Sequence, residues 1–159
     1  MTFNAKLSKP ALAITIIFNI ILILALFLIR ENPNYGVVSM FIIIISLVLT
    51  HLLHPVSYTI VPDSIKINRV ILPITIQDME IIHLEKINLS DLSINLRLFG
   101  SGGVWGYFGI YHSSAHGKLT MMASDMQNLV LITTPSKKYV ISPENPRDFL
   151  ETYNSRRKN

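Results

Sequence analysis

Two long apolar runs dominate the hydrophobic pattern at the start of the chain. The first run, Ala11–Ile29, has 19 residues, of which only Thr15 and Asn19 are polar. At about 1.5 Å per residue it covers roughly 28 Å, close to the thickness of a bilayer's hydrocarbon layer. The second run, Val37–Leu53, has 17 residues and is long enough to cross with little tilt. The pattern predicts a transmembrane helical hairpin over residues 11–54, and two buried helices of a soluble core are the alternative.

The segments around these two spans are more polar. Residues 1–10 form a short polar arm, and the connector 30–36 is rich in residues that end helices and form turns. The first span is longer than the core of a signal peptide and is followed by no small-x-small cleavage site, so we expect it to be retained. The residue before a proline disfavours the helical conformation, so Pro55 should open a separate domain over residues 55–155.

After Pro55 the pattern changes to alternating apolar and polar residues, which is typical of strands. Tyr58–Val61 and Ile65–Arg69 predict a hairpin around the turn at Pro62. Five further strands are predicted, on both sides of a glycine-rich string at 100–111 and at 118–123, 129–133 and 138–142. Pro73 leads into the short segment 74–76, and residues 79–89 are a mixed stretch without a clear strand pattern. The sequence therefore predicts a mainly-β domain of about seven antiparallel strands.

A single helix is predicted at the end of this domain. Asn145 is a suitable N-cap, and Pro146 suits the first helical position. Phe149, Leu150 and Tyr153 form one apolar stripe. We expect this stripe to cap one end of the sheet as a plug.

The distribution of charge predicts the orientation in the membrane. The pI of about 9.4 alone would suggest a nucleic-acid partner. Between residues 55 and 155, however, eight Lys and Arg are balanced by nine Asp and Glu, so the basic excess lies in the arm and in the tail 156–159. Lys6 and Lys9 flank the first span, whereas the connector has only Arg30, so the positive-inside rule places both ends in the cytoplasm. We expect these cations to meet lipid headgroups, and we expect no nucleic-acid partner.

The string at residues 100–111 holds five glycines and four aromatic residues. Its spacing is not that of a phosphate-binding loop, and a base-stacking strand would need more cations than Arg97 nearby. We expect a tight turn between two strands, with positive φ at some of the glycines. Trp105, Tyr107 and Phe108 then either cover the core or contact a membrane or a partner. The candidate structural glycines are Gly100, Gly102, Gly103, Gly106 and Gly109.

Two histidine pairs are candidates for metal or proton chemistry. His51 and His54 are one helical turn apart at the end of the second span, but no third ligand is near them in sequence, which favours interfacial anchoring. His112 and His116 would converge only on a helix, and the residues around them favour a loop. The chain has no cysteine, so thiolate chemistry is excluded. We expect no metal, no cofactor and no catalytic residues.

Two strings resemble the bacterial pleckstrin-homology-like domain family, including members tethered by an N-terminal transmembrane pair. They are RLFGSGGVWGYFG at residues 97–109 and KKYVISPENPRDFLETY at residues 137–153. The resemblance implies a strongly bent antiparallel sheet, barrel-like and capped by the final helix, that serves as a binding scaffold without catalytic residues. Of the basic cluster that binds phosphoinositides in eukaryotic members, this sequence has only Lys66 and Arg69 in the first hairpin.

These observations lead to one expected function and two alternatives. We expect a membrane-anchored cytoplasmic module that binds a protein partner or a second copy of itself. A domain that binds lipid headgroups through Trp105, Tyr107 and Phe108 together with the basic tail is the first alternative. The candidate contacts with a partner or a membrane are Trp105, Tyr107, Phe108, Lys66 and Arg69. An enzyme is the second alternative, although no spacing brings a nucleophile, a histidine and a carboxylate together.

Overall fold

The computed structural model of the chain describes residues 1–29 and 33–157. Two segments lie outside the described residues. They are Arg30–Asn32 of the connector and the last two residues of the predicted basic tail, Lys158 and Asn159. The helices are α1 (Lys9–Ile29), α2 (Pro33–Leu53), α3 (Leu89–Leu92) and α4 (Pro146–Arg157). The strands are β1 (Thr2–Asn4), β2 (Pro55–Val61), β3 (Ser64–Arg69), β4 (Ile74–Gln77), β5 (His83–Ile87), β6 (Ile94–Gly103), β7 (Gly106–Ser113), β8 (Gly117–Ala123), β9 (Leu129–Thr133) and β10 (Lys138–Ile141).

The first two helices leave their apolar side chains uncovered. Gly36–Leu53 in α2 is 18 residues long and apolar enough to cross a membrane, whereas the described apolar stretch of α1, Lys9–Ala25, is shorter. A helix that is apolar on its exposed faces is unlike the surface helix of a soluble domain, which has a polar face. Side chains that are more than half exposed include Ile17, Ile21, Ile23, Leu24, Val38, Phe41, Ile42 and Ile45.

The strands form two sheets. The first has the order β1-β2-β3-β4, and every pair in it is antiparallel. The second has the order β5-β9-β10-β8-β7-β6. In the second sheet β10 lies between β9 and β8 and runs parallel to β8, with Tyr139 opposite Thr120. Because β10 lies between them, β8 and β9 are not neighbours, and the connection from β8 to β9 crosses the position of β10.

This arrangement corrects the predicted sheet in two respects. Residues 55–155 contain nine strands rather than about seven, and the β8–β10 pair is parallel rather than antiparallel. The first hairpin forms as predicted, with Ile60 opposite Ile65 and a turn that holds Asp63 at a positive φ of 61°. The expected single bent sheet is thus two sheets, which are joined between β4 and β5 by a short 3-10 turn at Asp78–Glu80.

The N-terminal arm also differs from the prediction of a polar segment outside the domain. Its residues Thr2–Asn4 form β1 and pair with β2, so that Phe3 lies opposite Tyr58. Phe3 is buried, and its ring packs edge-on against Phe149 with the centroids 5.1 Å apart. The arm is therefore part of the sheet that follows both helices in sequence.

The main core lies between the two sheets and α4. Phe149 and Tyr153 of α4 are buried in it, and Leu150 is partly buried at its edge. The Tyr58 hydroxyl crosses between the sheets: it donates to the carbonyl of Met122 at 2.7 Å and accepts from the N–H of Ser142 at 3.2 Å. Burial raises the pKa of Tyr58 to about 12, so this hydroxyl stays protonated and can serve as a donor.

Candidate functional site: the junction between helices and domain

One turn of the domain docks onto both apolar helices. The turn between β6 and β7 carries Trp105, whose ring lies against two histidines at the end of α2. The ring centroid of Trp105 is 4.8 Å from that of His51, in an edge-on arrangement, and 5.6 Å from that of His54, which stacks on it at 30°. We call Thr15, His51, His54 and Trp105 the junction.

The backbone of the same turn is hydrogen-bonded to α1. The Thr15 hydroxyl accepts a bond from the Trp105 N–H at 2.9 Å and donates to the carbonyl of Ala11 at 2.7 Å. The same hydroxyl lies 3.4 Å from the carbonyl of Gly103. Thr15 is buried, so it satisfies a turn donor that is shielded from water. The domain is thereby fixed to α1 by hydrogen bonds and to α2 by ring contacts.

Glycine permits this close approach. Gly103 and Gly106 are opposite each other across the turn, with φ of 136° and 109°, and Trp105 between them has a φ of 57°. A Cβ on Gly103 would lie 2.8 Å from the Cδ1 of Ile14 in α1. A side chain at this position would push the turn away from the helix.

A second glycine pair lies further along the same hairpin. Gly100 and Gly109 are opposite each other, with φ of 106° and 124°. A Cβ on either one would lie about 2 Å from a backbone carbonyl of the facing strand, 2.1 Å for Gly100 and 2.2 Å for Gly109. Gly102 differs: its φ is outside the positive region, and a Cβ there would meet only the movable Arg97 guanidinium. Positive φ therefore holds at Gly103 and Gly106 but not at Gly102.

The protonation of the junction is set mainly by burial. Burial of the ring lowers the pKa of His54, its hydrogen bond with the His51 carbonyl opposes this effect, and the charge of His51 reinforces it. The His54 Nδ1 lies 2.5 Å from that carbonyl. Burial at the junction therefore favours the neutral form of His54.

The histidines do not assemble into a larger donor set. In the described parts of the chain, 1–29 and 33–157, there is no group of three or more His, Cys, Asp or Glu that could hold a metal ion. His112 Nδ1 lies 3.1 Å from the side-chain oxygen of Asn95, and the backbone carbonyl of His116 accepts a bond from Lys138. The ring of His112 thus has a partner other than a metal ion.

The other predicted contact residues are scattered. Phe108 is 5% exposed and belongs to the main core, so its ring offers no surface to a lipid or partner. Tyr107 is partly buried and lines a cavity of about 430 Å³ beside the start of α1. Lys66 is exposed on β3, whereas the partly buried Arg69 donates from Nε to the carbonyl of Leu72 at 2.8 Å. Lys66 and Arg69 belong to the first sheet and Tyr107 to the second.

The basic tail is partly built into the domain. Arg156 and Arg157 belong to α4, and the Arg156 guanidinium pairs with Asp78. It also donates to the carbonyl of Ser64 at 3.2 Å and lies over the ring of Tyr153 at 5.1 Å. Arg156 is therefore engaged with the protein rather than free for lipid headgroups, which corrects the expectation for this part of the tail.

Sequence reasoning found Trp105 but missed its partner. Thr15 was visible as one of only two polar residues in the first apolar run, and a lone polar residue in such a helix usually has a specific partner. Its partner is a backbone N–H 90 positions away in sequence, which no local pattern reveals.

Two packed sheets with a C-terminal helix packed into their shared core define a pleckstrin-homology-like fold. A family model described as Bacterial PH domain matches residues 56–157, and the chain belongs to that family. The resemblance seen in the glycine-aromatic and C-terminal strings is thereby confirmed. No curated protein and no solved structure matches the chain.

Proposed function

We propose that this protein is a membrane-anchored binding module. In this proposal both apolar helices cross the membrane as a hairpin, and the PH domain stays in the cytoplasm, where it binds a protein partner or a second copy of the chain without catalysing a reaction. The observation that carries the anchoring is the junction, which fastens the domain to α1 and α2.

The hairpin topology is supported by the pairing of β1 with β2. β1 comes before α1 and β2 comes after α2, yet Thr2 and Thr59 are neighbours in one sheet. The chain must therefore leave the domain and return to the same side. An even number of crossings satisfies this requirement, whereas a single crossing by α2 would separate the paired strands.

Reporter fusions test the topology. A reporter whose signal depends on its compartment is fused after Asn34 and, separately, after Asn159. Lys6 and Lys9 precede the first span, whereas the connector has one cation. The positive-inside rule therefore predicts an outside signal at Asn34 and a cytoplasmic signal at Asn159. The opposite pattern, or the same compartment at both positions, would contradict the proposal.

Binding of a protein is supported by the open strand edges between the sheets. β4 and β5 are edge strands, and the connector between them exposes Met79, at 92%, and Ile82. Edge strands next to exposed apolar side chains are a common site of strand addition by a partner chain. This observation favours a protein over a small ligand.

Site-specific crosslinking tests this binding surface. Two differently tagged copies of the full chain, each with a photoreactive amino acid in place of Met79, are produced in the same cells. A product with both tags would indicate self-association, and a product of one copy with one recurrent protein would indicate a partner. Lys118, exposed on β8, is the matched control position and should give neither product. Equal labelling at both positions, or none at Met79, would contradict the proposal.

A further inference from the structure

Strand β6 exposes large apolar side chains in the middle of a regular strand. Leu96, Leu98 and Phe99 are all more than half exposed, with Phe99 at 72%. The register places Arg97 opposite Tyr111 and Phe99 opposite Ile110, so Leu98 is the extra residue of a β-bulge. A bulge turns neighbouring side chains off the usual alternation, and here it leaves apolar groups without protein cover.

This part of β6 runs alongside α1 and α2 instead of ending below the domain end of α2. A groove of about 190 Å³ separates the strand from α1 and α2. Ser46 lines it and is seven residues before Leu53, which places it about 10 Å from the domain end of α2. β6 therefore reaches a level within the apolar stretch Gly36–Leu53. Phe18 of α1 and Arg97 of β6 line the groove as well.

A second apolar segment adjoins the same end of α2. The loop between β3 and β4 exposes Val70, Ile71 and Leu72, with Leu72 at 66%. The Ile71 N–H donates to the carbonyl of Leu52, the penultimate residue of α2, at 3.2 Å. The loop is therefore held against the helix end. We call Val70–Leu72 together with Leu96, Leu98 and Phe99 the apolar rim.

Charge at the apolar rim fits lipid headgroups. Arg97 is exposed between Leu96 and Leu98, whereas the partly buried Arg69 beside the β3–β4 loop already donates to the carbonyl of Leu72. Arginine at the edge of an apolar surface keeps its stem in the apolar layer and its guanidinium among phosphates. If a protein covered this surface instead, the guanidinium would be buried and would need a carboxylate partner.

From this placement we infer that the apolar rim is immersed in the bilayer interface next to the helices, so that the domain lies partly embedded in the membrane. The occupant of this surface is lipid, because the rim continues the exposed apolar surface of α1 and α2. This inference rests on the proposed membrane anchoring. It concerns residues other than those that the sequence had suggested for lipid contact.

The absence of cysteine makes this inference testable with single labels. Phe99→Cys, Leu98→Cys and Leu72→Cys are prepared in the full chain, labelled with a small environment-sensitive fluorophore, and reconstituted into vesicles of phosphatidylethanolamine and phosphatidylglycerol. Quenching is then compared between nitroxide-bearing phospholipids and iodide in the water. Met79→Cys serves as the exposed apolar control outside the apolar rim, with the protein reconstituted at a density too low for a second copy to cover it, and Ile45→Cys reports the middle of α2.

The expected result is loss of fluorescence at all three rim positions with nitroxide lipid and little loss with iodide, and the reverse at Met79. Quenching by iodide at the rim while Ile45 is quenched only by nitroxide lipid would overturn the inference and leave the anchor intact. Iodide quenching at Ile45 would overturn the anchor and the inference with it. Rim labels protected from both quenchers would mean that a protein covers this surface, which also overturns the inference.

Discussion

The hydroxyl of Thr15 in α1 accepts a hydrogen bond from the backbone N–H of Trp105 in the β6–β7 turn, at 2.9 Å. The two residues are far apart in sequence and belong to the helical and the β parts of the chain. Their bond defines the angle at which the domain meets the helices, because the same turn is held from the other side by ring contacts with α2.

Removal of this bond should loosen the junction. Thr15→Val keeps the shape of the side chain but leaves the Trp105 N–H without its partner, which should cost about 1–3 kcal/mol. Unfolding of the full chain in detergent, followed by the fluorescence of Trp105, the single tryptophan, measures this cost. Thr50→Val is the control, since the Thr50 hydroxyl bonds only to carbonyls of its own helix. Equal effects of the two variants would argue against the junction.

The plug formed by α4 can be tested through Phe149. The ring of Phe149 is fully buried, so Phe149→Ala should lower the free energy of unfolding by about 3–5 kcal/mol. Glu151→Ala, on the exposed side of the same helix, should change it by less than about 0.5 kcal/mol. Chemical denaturation followed by near-ultraviolet circular dichroism compares them. A small effect of Phe149→Ala would show that the helix is not docked.

The two kinds of glycine in the β6–β7 hairpin should respond differently to alanine. Gly100→Ala places a Cβ against a backbone carbonyl at a φ of 106° and should cost more than the ~1 kcal/mol that separates glycine from alanine by propensity alone. Gly102→Ala should cost little, because the Arg97 side chain can move away. Thermal unfolding of both variants is the measurement, and a milder effect at Gly100 than at Gly102 would contradict the assignment.

Mild acid should weaken the junction through His54. Burial lowers the pKa of His54 below 6.5 in the folded state, so the fold favours the neutral ring. The stability that neutral His54 contributes is fully present above pH 6.5, the pKa of an unfolded-state histidine. It is lost as the pH falls from 6.5 through the lower pKa of His54 in the folded state. The free energy of unfolding, measured against pH, should therefore decline in this range, and His54→Asn should flatten the decline. His112→Asn, at an exposed histidine, should leave it unchanged; an equal flattening there would exclude His54 as the cause.

The elements with strong local signals were predictable from sequence. Apolar length indicated the two helices, Pro55 indicated the end of the second, and Asn145 with Pro146 indicated the start of α4. These signals are carried by neighbouring residues, so they can be read from one stretch at a time. The first hairpin was predictable for the same reason.

Strand order and the exposed surfaces could not be read in this way. The position of β10 between β9 and β8 depends on pairing between distant segments, and β1 has only three residues, too few for a periodic pattern. Leu96 and Leu98 alternate with Arg97 as in a half-buried strand, but their burial depends on what lies beside β6. Trp105 was noticed in sequence, whereas its contacts with Thr15 and His51 required the docked helices.

The short strand β1 has a consequence for how this protein can be produced. A fragment that starts at Pro55, the obvious choice for a soluble preparation, would lack Phe3 and would leave the β2 edge open. During synthesis the ribosome makes β1 first, and β1 must wait until both helices and then Thr59 have emerged before it finds its partner. The domain is thus assembled from two pieces of chain on either side of α1 and α2, and its first sheet can be completed only after both helices have been synthesised.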